Sequence, residues 1–494
     1  MKTHYIHGTF YTLNPLLPQV SELWVEDGII SWLGARPDWH ADHTIDVQGW
    51  TCFPGFVDSH LHLIGYGEHL SLLQLDKNPH PQSVLALVST RFQGRPLYAQ
   101  GHVEQNLTNL DLDKISSTIP ILLRHADFHG ATVNSAILKQ IGLINHPNGI
   151  LHEADALKAV QSFPKYQRDE VVKMIEVAIN QLHRYGVTGG HTDDLYYFNG
   201  FHEVVSSYQT VLKQVPFRTH ILMHYLELDA YEKINHQLFS NHPYLEFGAV
   251  GEIFYDGTLS SQTALMHDPY RDSQGIGQRQ FSPEEWVTMV KRIRKLGLPL
   301  AVHTIGDLAL EEVVETLIAY PVTKGFHDRI IHASFAKKNI LDKLKRVPVI
   351  LDIQPQFVTS DLPWASTTIS TKTELIYPWK TYLNHGLTLA GGSDAPVEIP
   401  DPLKGIHAAY FRQGPGSDLV FQPEERLSMQ EAIHLYTIGA NGPSYNANRR
   451  GKLLIGAVAD FTFVSEDFYK KPETLAKAKV MMTVINNHVV FKHQ

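Results

Sequence analysis

The sequence predicts an α/β protein: a (β/α)8 TIM barrel with a long insertion after its first strand, plus a small β-sandwich domain built from both termini. Three observations lead to this prediction. Apolar strands alternate with amphipathic helices through the middle of the chain, and about 120 residues separate the first two strands. Both chain ends are rich in β-branched and aromatic residues, which favours short strands there.

Eight apolar segments are the strand candidates of the barrel. They are residues 55–57, 187–189, 219–223, 247–254, 298–302, 329–331, 347–353 and 387–390. Helical signals lie between them: Ser282 opens a capping box with Pro283 at the first helical position, and Gly297 ends that helix. The alternative is an open doubly wound sheet, which needs a glycine-rich turn after its first strand. His60 to Leu63 occupies that place, so the barrel is favoured.

The domain boundaries follow from these segments. Residues 1–52 and 450–494 are predicted to form one composite β-sandwich domain, with two unrelated terminal flaps as the alternative. Residues 53–449 form the barrel, with an insertion at about 65–164. We interpret the insertion as a lid or substrate wall, since it follows the carboxyl end of the first strand; a peripheral decoration is the other interpretation.

Composition and charge exclude several classes of protein. The net charge is −9 without a basic block, which argues against a nucleic-acid partner or an anionic membrane surface. The single cysteine, Cys52, excludes a disulfide framework and a cysteine-rich zinc module. The first residues lack the apolar region of a signal peptide, and no run of about 18 apolar residues occurs. We therefore expect a cytoplasmic protein, either a monomer or a homo-oligomer.

Polar residues follow the predicted strands where active sites of this barrel are built. His60 and His62 close the first strand, and residues two apart on a strand point to the same side. His303, His332 and Asp394 close the fifth, sixth and eighth strands. A single such histidine is more often structural, but the whole set is typical of a divalent metal site.

The fourth strand adds a carboxylate at Glu252, which could bridge two ions. A carboxylate facing a barrel core needs a partner, which is either a metal or a core arginine. Imidazole and carboxylate ligands without thiolate favour Zn²⁺, although another divalent metal could take its place. The predicted ligands are His60, His62, Glu252, His303, His332 and Asp394, and they hold one or two ions.

These motifs resemble the metal-dependent amidohydrolase superfamily. The residues that carry the resemblance are 54–62, 256–259, 303–307, 329–332, 354–355, 392–396 and the tail 451–461. Within the superfamily, the chain is similar to the amidohydrolase family 3 branch that contains N-substituted formamide deformylases and exoenzyme-regulatory proteins; the insertion matches this branch at His129 and Asn134. Members of the branch usually carry a carboxylated lysine on the fourth strand, and Glu252 stands in its place here.

The resemblance implies hydrolysis of a C–N bond in a small amide, formamide or cyclic amide by metal-activated water. Asp394 is the expected general base and acid, because a poor amine leaving group needs a proton. The expected substrate contacts come from the insertion and the strand-end loops; the candidates are His129, Asn134, Asp193, Tyr255, Gln354 and Trp364. Asp58 is expected to support the metal ligands.

Two other functions stay open from sequence alone. A heterocycle deaminase of this superfamily typically carries a glutamate soon after the fifth-strand histidine, and residues 303–307 lack one. A catalytically silent metal- or ligand-binding protein is the second alternative, because Glu252 departs from the usual lysine.

Overall fold

The structure is a computed structural model of the 494-residue chain. It describes all residues except 76–79, 104–106, 126–129, 197, 234–238, 240–241, 362–363, 415–417 and 445. The described residues form two compact units. The larger unit contains Met1–Gly67 and Val171–Gln494, and the smaller unit contains Glu68–Glu170.

The larger unit is built around eight parallel strands, in agreement with the predicted fold class. The strands are β1 (Phe56–Leu61), β2 (Val187–Leu195), β3 (Arg218–Met223), β4 (Leu245–Phe254), β5 (Leu300–Thr304), β6 (Asp328–His332), β7 (Val349–Ile353) and β8 (Thr388–Gly391). Each pairs in parallel with the next one along the chain. Their carboxyl ends therefore meet at one end of the barrel.

The seam between β1 and β8 is closed near those carboxyl ends. The backbone N–H of Asp394 donates to the carbonyl of His60 at 2.7 Å. The buried Asp58 carboxylate accepts from the backbone N–H groups of His60 (3.1 Å) and Ser393 (3.0 Å). Burial raises the pKa of Asp58 to about 6, although these hydrogen bonds act in the opposite direction. Asp58 thus holds together the two segments that carry His60 and Asp394.

Helices follow most of the barrel strands. The α-helices outside the insertion are Leu63–Ser71, Arg168–Arg184, Phe201–Val211, Leu228–Lys233, Pro283–Lys295, Asp307–Ala319, Ile340–Leu344, Phe357–Ser360, Ala365–Thr368, Trp379–Asn384, Pro402–Phe411 and Met429–His434. Ser282 forms the predicted capping box with Glu285. In the part of the chain that the structure describes, no helix combines the length and apolar composition needed to span a bilayer.

Strands from both chain ends form two further sheets. The four-stranded sheet has the order Ile29–Leu33, Leu23–Glu26, Lys2–Ile6, His43–Asp46; the six-stranded sheet has the order His488–Lys492, Val480–Ile485, Phe461–Val464, Thr51–Pro54, Thr9–Tyr11, Gln19–Val20. Residues of both sheets share one apolar core, which includes Cys52, Tyr5 and Phe463. The two ends therefore build a common sandwich, while its predicted limits at residues 52 and 450 stay a prediction.

The smaller unit has its own sheet. Its strand order is Ile150–His152, Gly130–Val133, Ile121–His125, Leu97–His102, Leu73–Gln74. The helices Pro81–Arg91, Asn109–Asp113, Ser135–Gln140 and Glu153–Ser162 accompany it. This unit covers most of the predicted insertion, and its role as a lid stays a prediction.

Candidate metal centre

The six predicted ligands converge at the carboxyl end of the barrel. His60 Nε2 lies 3.2 Å from Asp394 Oδ1 and 3.4 Å from Glu252 Oε2. His62 Nε2 lies 3.0 Å from the same Asp394 oxygen. His303 Nδ1 lies 3.0 Å from Glu252 Oε1. Side chains separated by more than 300 residues in the chain thus meet within hydrogen-bonding distance.

The two oxygens of Glu252 face two different groups of imidazoles. Oε2 faces His60 and His62, at 3.4 and 3.9 Å. Oε1 faces His303 and His332, at 3.0 and 3.4 Å. The carboxylate is 1% exposed, so no bulk solvent competes for it. The site therefore divides into a first group with His60, His62 and Asp394 and a second group with His303 and His332, joined by Glu252.

Two of these residues reach the site through an unusual backbone. His332 has a φ of 73° and Asp394 a φ of 58°, in the left-handed region that non-glycine residues seldom adopt. Ala333 follows at φ 46°, and its N–H donates to the Thr304 carbonyl at 3.0 Å. Such conformations persist where surrounding contacts hold them and are common at functional sites. Here they turn the chain at the ends of β6 and β8.

Outer hydrogen bonds orient three of the four imidazoles. His62 Nδ1 donates to Asp193 Oδ1 at 2.6 Å, and His332 Nδ1 donates to Gln354 Oε1 at 2.7 Å. His303 Nε2 donates to the Gly257 carbonyl at 3.2 Å. In each case the other ring nitrogen points to a carboxylate of the site. Outer partners of this kind fix the tautomer and orientation of metal-binding histidines.

The electrostatics of the site are dominated by these contacts. Burial opposes charge on Glu252, but the imidazoles of His60, His303 and His332 hold its pKa well below the usual range. Burial also opposes charge on Asp394, whose pKa is lowered by His60 and His62. Burial lowers the pKa of His303, but Glu252 raises it to about 9. Both carboxylates are therefore ionised at neutral pH and attract positive charge.

The donor set fits a divalent cation. His332 Nε2 and His303 Nδ1 lie 2.9 Å apart, and neither nitrogen of the fully buried His60 has a hydrogen-bond partner among the residues that the structure describes. Ligand atoms about 2.1 Å from a tetrahedral ion lie roughly 3.4 Å from one another. Three sets of ligand atoms lie within 4.8 Å of one another among the described residues: His60–His332–Asp394, His60–His62–Glu252 and Glu252–His303–His332. A cation would give these nitrogens and oxygens a common partner.

The predicted substrate-binding residues do not converge on one place as the predicted metal ligands do. Gln354 and Asp193 lie beside the ligands but are engaged by histidines. Tyr255 points away from the ligands: its hydroxyl donates to Glu312 at 2.7 Å, and its ring packs on Trp286. Trp364 lies in the segment after β7, where its indole N–H donates to the Ser360 carbonyl at 3.2 Å.

The two candidates in the insertion belong to the smaller unit. Asn134 is buried and begins the helix Ser135–Gln140, accepting from the N–H groups of Ile121 and Ile137. Its amide nitrogen donates to the Ser116 and Ile119 carbonyls at 2.7 Å. Asn134 thus has a structural role within the insertion. His129 lies outside the described residues, and its role in substrate binding stays a prediction.

Sequence reasoning missed the supporting roles of two carboxylates. Asp193 was a candidate substrate contact, whereas the structure places it behind His62. Asp256 is buried and accepts from the N–H groups of Leu265 (2.9 Å), Ile305 (3.1 Å) and Gly306 (2.8 Å). It therefore ties the loop after β4 to the segment that follows His303. Both carboxylates could have been recognised in the sequence by their position, since each lies in or shortly after a barrel strand.

Comparison with known proteins agrees with this geometry. Residues 43–491 match the model of an amidohydrolase family. The Bacillus subtilis (strain 168) protein YtcJ, which bears an amidohydrolase name, is 33% identical, and the alignment covers 100% of both chains. The N-substituted formamide deformylase of Arthrobacter pascens is 23% identical over 88% of this chain and 86% of its own. A crystal structure of an uncharacterised metal-dependent hydrolase from Pyrococcus furiosus has a TM-score of 0.81 at 25% identity, covering 95% of this chain and 100% of that one.

A family match over most of the chain and a full-length relative above 30% identity agree with the converging ligands of the barrel. The chain therefore belongs to the amidohydrolase family and is a metal-dependent hydrolase acting on carbon–nitrogen bonds.

Proposed function

We propose that the protein hydrolyses the C–N bond of a small amide, formamide or cyclic amide, with Zn²⁺ in the site and Asp394 as general base and acid. The observation that carries the proposal is the position of Asp394, whose Oδ1 lies 3.0 Å from His62 Nε2 and 3.2 Å from His60 Nε2. A carboxylate held against two ligand imidazoles is adjacent to any cation they bind. Asp394 would therefore be placed to exchange a proton with the attacking water.

The choice of zinc rests on the ligand types. Four imidazoles and two carboxylates suit zinc, and no thiolate is available because Cys52 is buried in the sandwich core. Two ions are favoured over one, because each oxygen of Glu252 faces its own pair of histidines. Glu252 would then bridge the ions where related proteins use a carboxylated lysine.

Bound zinc lowers the pKa of water toward about 7 and polarises a carbonyl oxygen. The protein's own part in the reaction is to move and position protons. Asp394 accepts a proton from the attacking water and returns it to the amide nitrogen as the C–N bond breaks. Asp193 and Gln354 hold His62 and His332 with the correct ring nitrogen inward. A ligated histidine stays neutral, so none of the four ligand imidazoles serves as the acid.

The experiment is a substrate panel with a matched variant. Purified protein reconstituted with Zn²⁺ is assayed on N-formyl and N-acyl amines and on cyclic amides, with metal content measured in parallel. We expect turnover by the wild type and loss of turnover with retained metal in Asp394→Asn. The exposed Asp27→Asn is the control and keeps full activity. Metal bound without turnover of any amide would favour a silent binding protein instead.

The cytoplasmic location and the oligomeric state stay predictions from the sequence. That the substrate is a small molecule follows from membership of the amidohydrolase family. Size-exclusion chromatography with light scattering measures the oligomeric state directly.

A further inference from the structure

The peptide group that joins Ser59 to His60 on β1 is held at both ends. Its carbonyl, that of Ser59, accepts from the Arg329 guanidinium of β6. Its N–H, that of His60, donates to the Asp58 carboxylate at 3.1 Å. Because a peptide group is planar, these two contacts fix its orientation and, with it, the direction in which the His60 side chain leaves the strand.

The pairing of β1 with β2 is irregular at this same peptide group. Asp58 is opposite Gly190, whereas Leu61 is opposite Thr192. Three steps along β1 therefore match two steps along β2. An extra residue of this kind interrupts the ladder and re-aims the side chains beside it. The strand register therefore does not by itself set the direction of the His60 side chain.

Arg329 reaches β1 through the interior of the barrel. It lies on β6, and β7 and β8 stand between that strand and β1. Its Nε donates to the Asp352 carboxylate of β7 at 2.7 Å, and the two side chains are 1% and 0% exposed. One guanidinium therefore connects three strands. The planar fork of arginine holds two acceptors at fixed angles, which the single ammonium group of lysine does not.

Stability alone does not account for a buried ion pair at this place. Taking both charges out of water is costly, and apolar residues of similar volume often replace such a pair without loss of stability. The pair instead contacts the backbone of a residue that directly precedes a metal ligand. Its position therefore points to a role in the geometry of the site.

The second group of histidines is held by a different contact. Gln354 accepts from His332 Nδ1 at 2.7 Å, and its amide nitrogen donates to the backbone carbonyl of Asp352 at 3.0 Å. This contact uses the backbone of Asp352, so it does not require the carboxylate. Among the described residues, the hydrogen bonds of the ion pair therefore lead to the first group.

We propose that Arg329 and Asp352 are positioning residues for the first group of metal ligands. They hold the peptide group before His60 so that His60 Nε2 faces the two carboxylates of the site, at 3.2 and 3.4 Å. The inference rests on the proposed two-ion centre and assigns to it a residue pair that acts only through His60. Loss of the pair weakens the ion at the first group and spares the ion at the second.

A second buried pair in the same barrel is the matched control. Arg218 donates to both oxygens of Asp460 at 2.9 and 3.0 Å, and to the Pro243 carbonyl at 3.0 Å. It therefore also binds one carboxylate and one backbone carbonyl. Arg218 begins β3, at the amino end of the barrel and away from the ligands.

The experiment replaces each pair by apolar residues. One double variant combines Arg329→Met with Asp352→Leu, and the control combines Arg218→Met with Asp460→Leu. Both are loaded with Zn²⁺, and circular dichroism and melting temperature report their folding. Chelator competition measures zinc affinity, and anomalous scattering from crystals measures the occupancy of each ion without any substrate.

We expect a selective loss of metal in the first double variant. The ion at the first group should bind about 10- to 100-fold more weakly, the range typical for loss of an outer partner of a metal ligand. The ion at the second group, and both ions in the control, should keep wild-type affinity. The two double variants should have similar melting temperatures, so the difference in metal binding does not come from unfolding.

Several outcomes would overturn the inference. They are an equal loss of both ions, the same loss in the control, an unchanged first-group ion in the folded variant, and a wild type that binds zinc only at the second group. If the double variant does not fold, Arg329→Lys decides, because it keeps the charge but not the two-acceptor fork; unchanged affinity at the first group would then contradict the inference. Failure to hydrolyse any amide would count against the proposed function and not against the positioning role, because occupancy is measured without substrate.

Discussion

Two groups of histidines in the same barrel differ in what surrounds their ring nitrogens. The ligand histidines His60, His62, His303 and His332 direct ring nitrogens toward Glu252 and Asp394 at 3.0–3.9 Å. The core pair, His191 on β2 and His220 on β3, instead stacks ring on ring at 4.2 Å with an angle of 27°.

One carboxylate, that of Glu246, contacts the core pair, and among the described residues it contacts only the His220 member of the pair. His220 Nδ1 donates to Glu246 Oε1 at 3.0 Å, whereas His191 Nδ1 has no hydrogen-bond partner in the described part of the chain. Burial, the neighbouring His220 and the Arg329 guanidinium lower the pKa of His191 well below its usual range. His191 therefore stays neutral at one level of the barrel, whereas the carboxylates beside the ligand histidines favour a bound cation at another.

The comparison shows that burial and residue type do not define a metal site. What distinguishes the ligand histidines is the convergence of ring nitrogens on two shared carboxylates, which favours a cation. The ring faces of the core pair meet instead, and face-to-face contact is packing. The following predictions test this distinction, from the largest expected effect to the smallest.

Removing the charge of Glu252 should have the largest effect. Glu252→Gln keeps the shape but removes the shared anion, so bound zinc should fall and kcat/KM should drop at least ~1,000-fold, since several kcal/mol of metal-dependent stabilisation is lost. Metal analysis and steady-state kinetics measure both. Glu246→Gln makes the same change beside the core pair and should leave metal content unchanged; a loss of metal there would contradict the distinction.

Replacing Asp193, the hydrogen-bond partner of His62, should have an intermediate effect on metal affinity. Asp193→Asn keeps an acceptor for His62 Nδ1 but removes its charge, and such changes typically cost 10- to 100-fold in metal affinity. Chelator competition measures the affinity. Gln354→Ala removes a neutral partner of His332 and should cost less, because hydrogen bonds to ionised groups are stronger. Equal losses in the two variants would show that charge behind the imidazole is unimportant.

Protonation of His191, one residue of the core pair, should contribute to the pH dependence of the free energy of unfolding. His191 is neutral in the folded protein, but in the unfolded chain it titrates near pH 6.5, so the unfolded state binds more protons below that pH. Its contribution is therefore fully present above pH 6.5 and is lost at about 1.4 kcal/mol per unit as the pH falls below it. In metal-free protein, His191→Phe should flatten the decline in unfolding free energy, measured by denaturant titration. The exposed His40→Phe should leave the slope unchanged, and an identical slope in His191→Phe would refute the assignment.

Metal loading should give only a small shift in the melting temperature of this long chain. At about 100 times its dissociation constant, one ion stabilises the folded state by about 2.7 kcal/mol. For a chain of 494 residues this corresponds to roughly 2–3 °C in Tm for each site. Zinc added after chelation should restore the shift in wild type and in Glu246→Gln but not in Glu252→Gln. Titration calorimetry with a stoichiometry of one would overturn the two-ion proposal.

The residues of the candidate site were predictable because barrel topology relates sequence position to space. A polar residue at the end of an apolar strand lies at the carboxyl end of the barrel, which was enough to predict that His60, His62, His303, His332 and Asp394 converge. Glu252 was added because it lies on the fourth strand itself, facing the barrel core. Because side chains alternate between the two faces of a strand, the direction of Tyr255 was also predictable from its position relative to Glu252. Glu252 points inward, so Tyr255, three residues later, points outward, as its contact with Trp286 shows.

The amino-acid sequence by itself determined the fold class and the six converging side chains, since strand periodicity and strand ends are local properties of the chain. It did not determine which side chain supports which ligand. Asp193 meets His62 across 131 residues of chain, and Gln354 meets His332 across β6 and β7. These pairings, and the division of Glu252 between two histidine groups, depend on strand register and the closure of the barrel. Register is set by packing over the whole molecule, so only the folded structure could decide them.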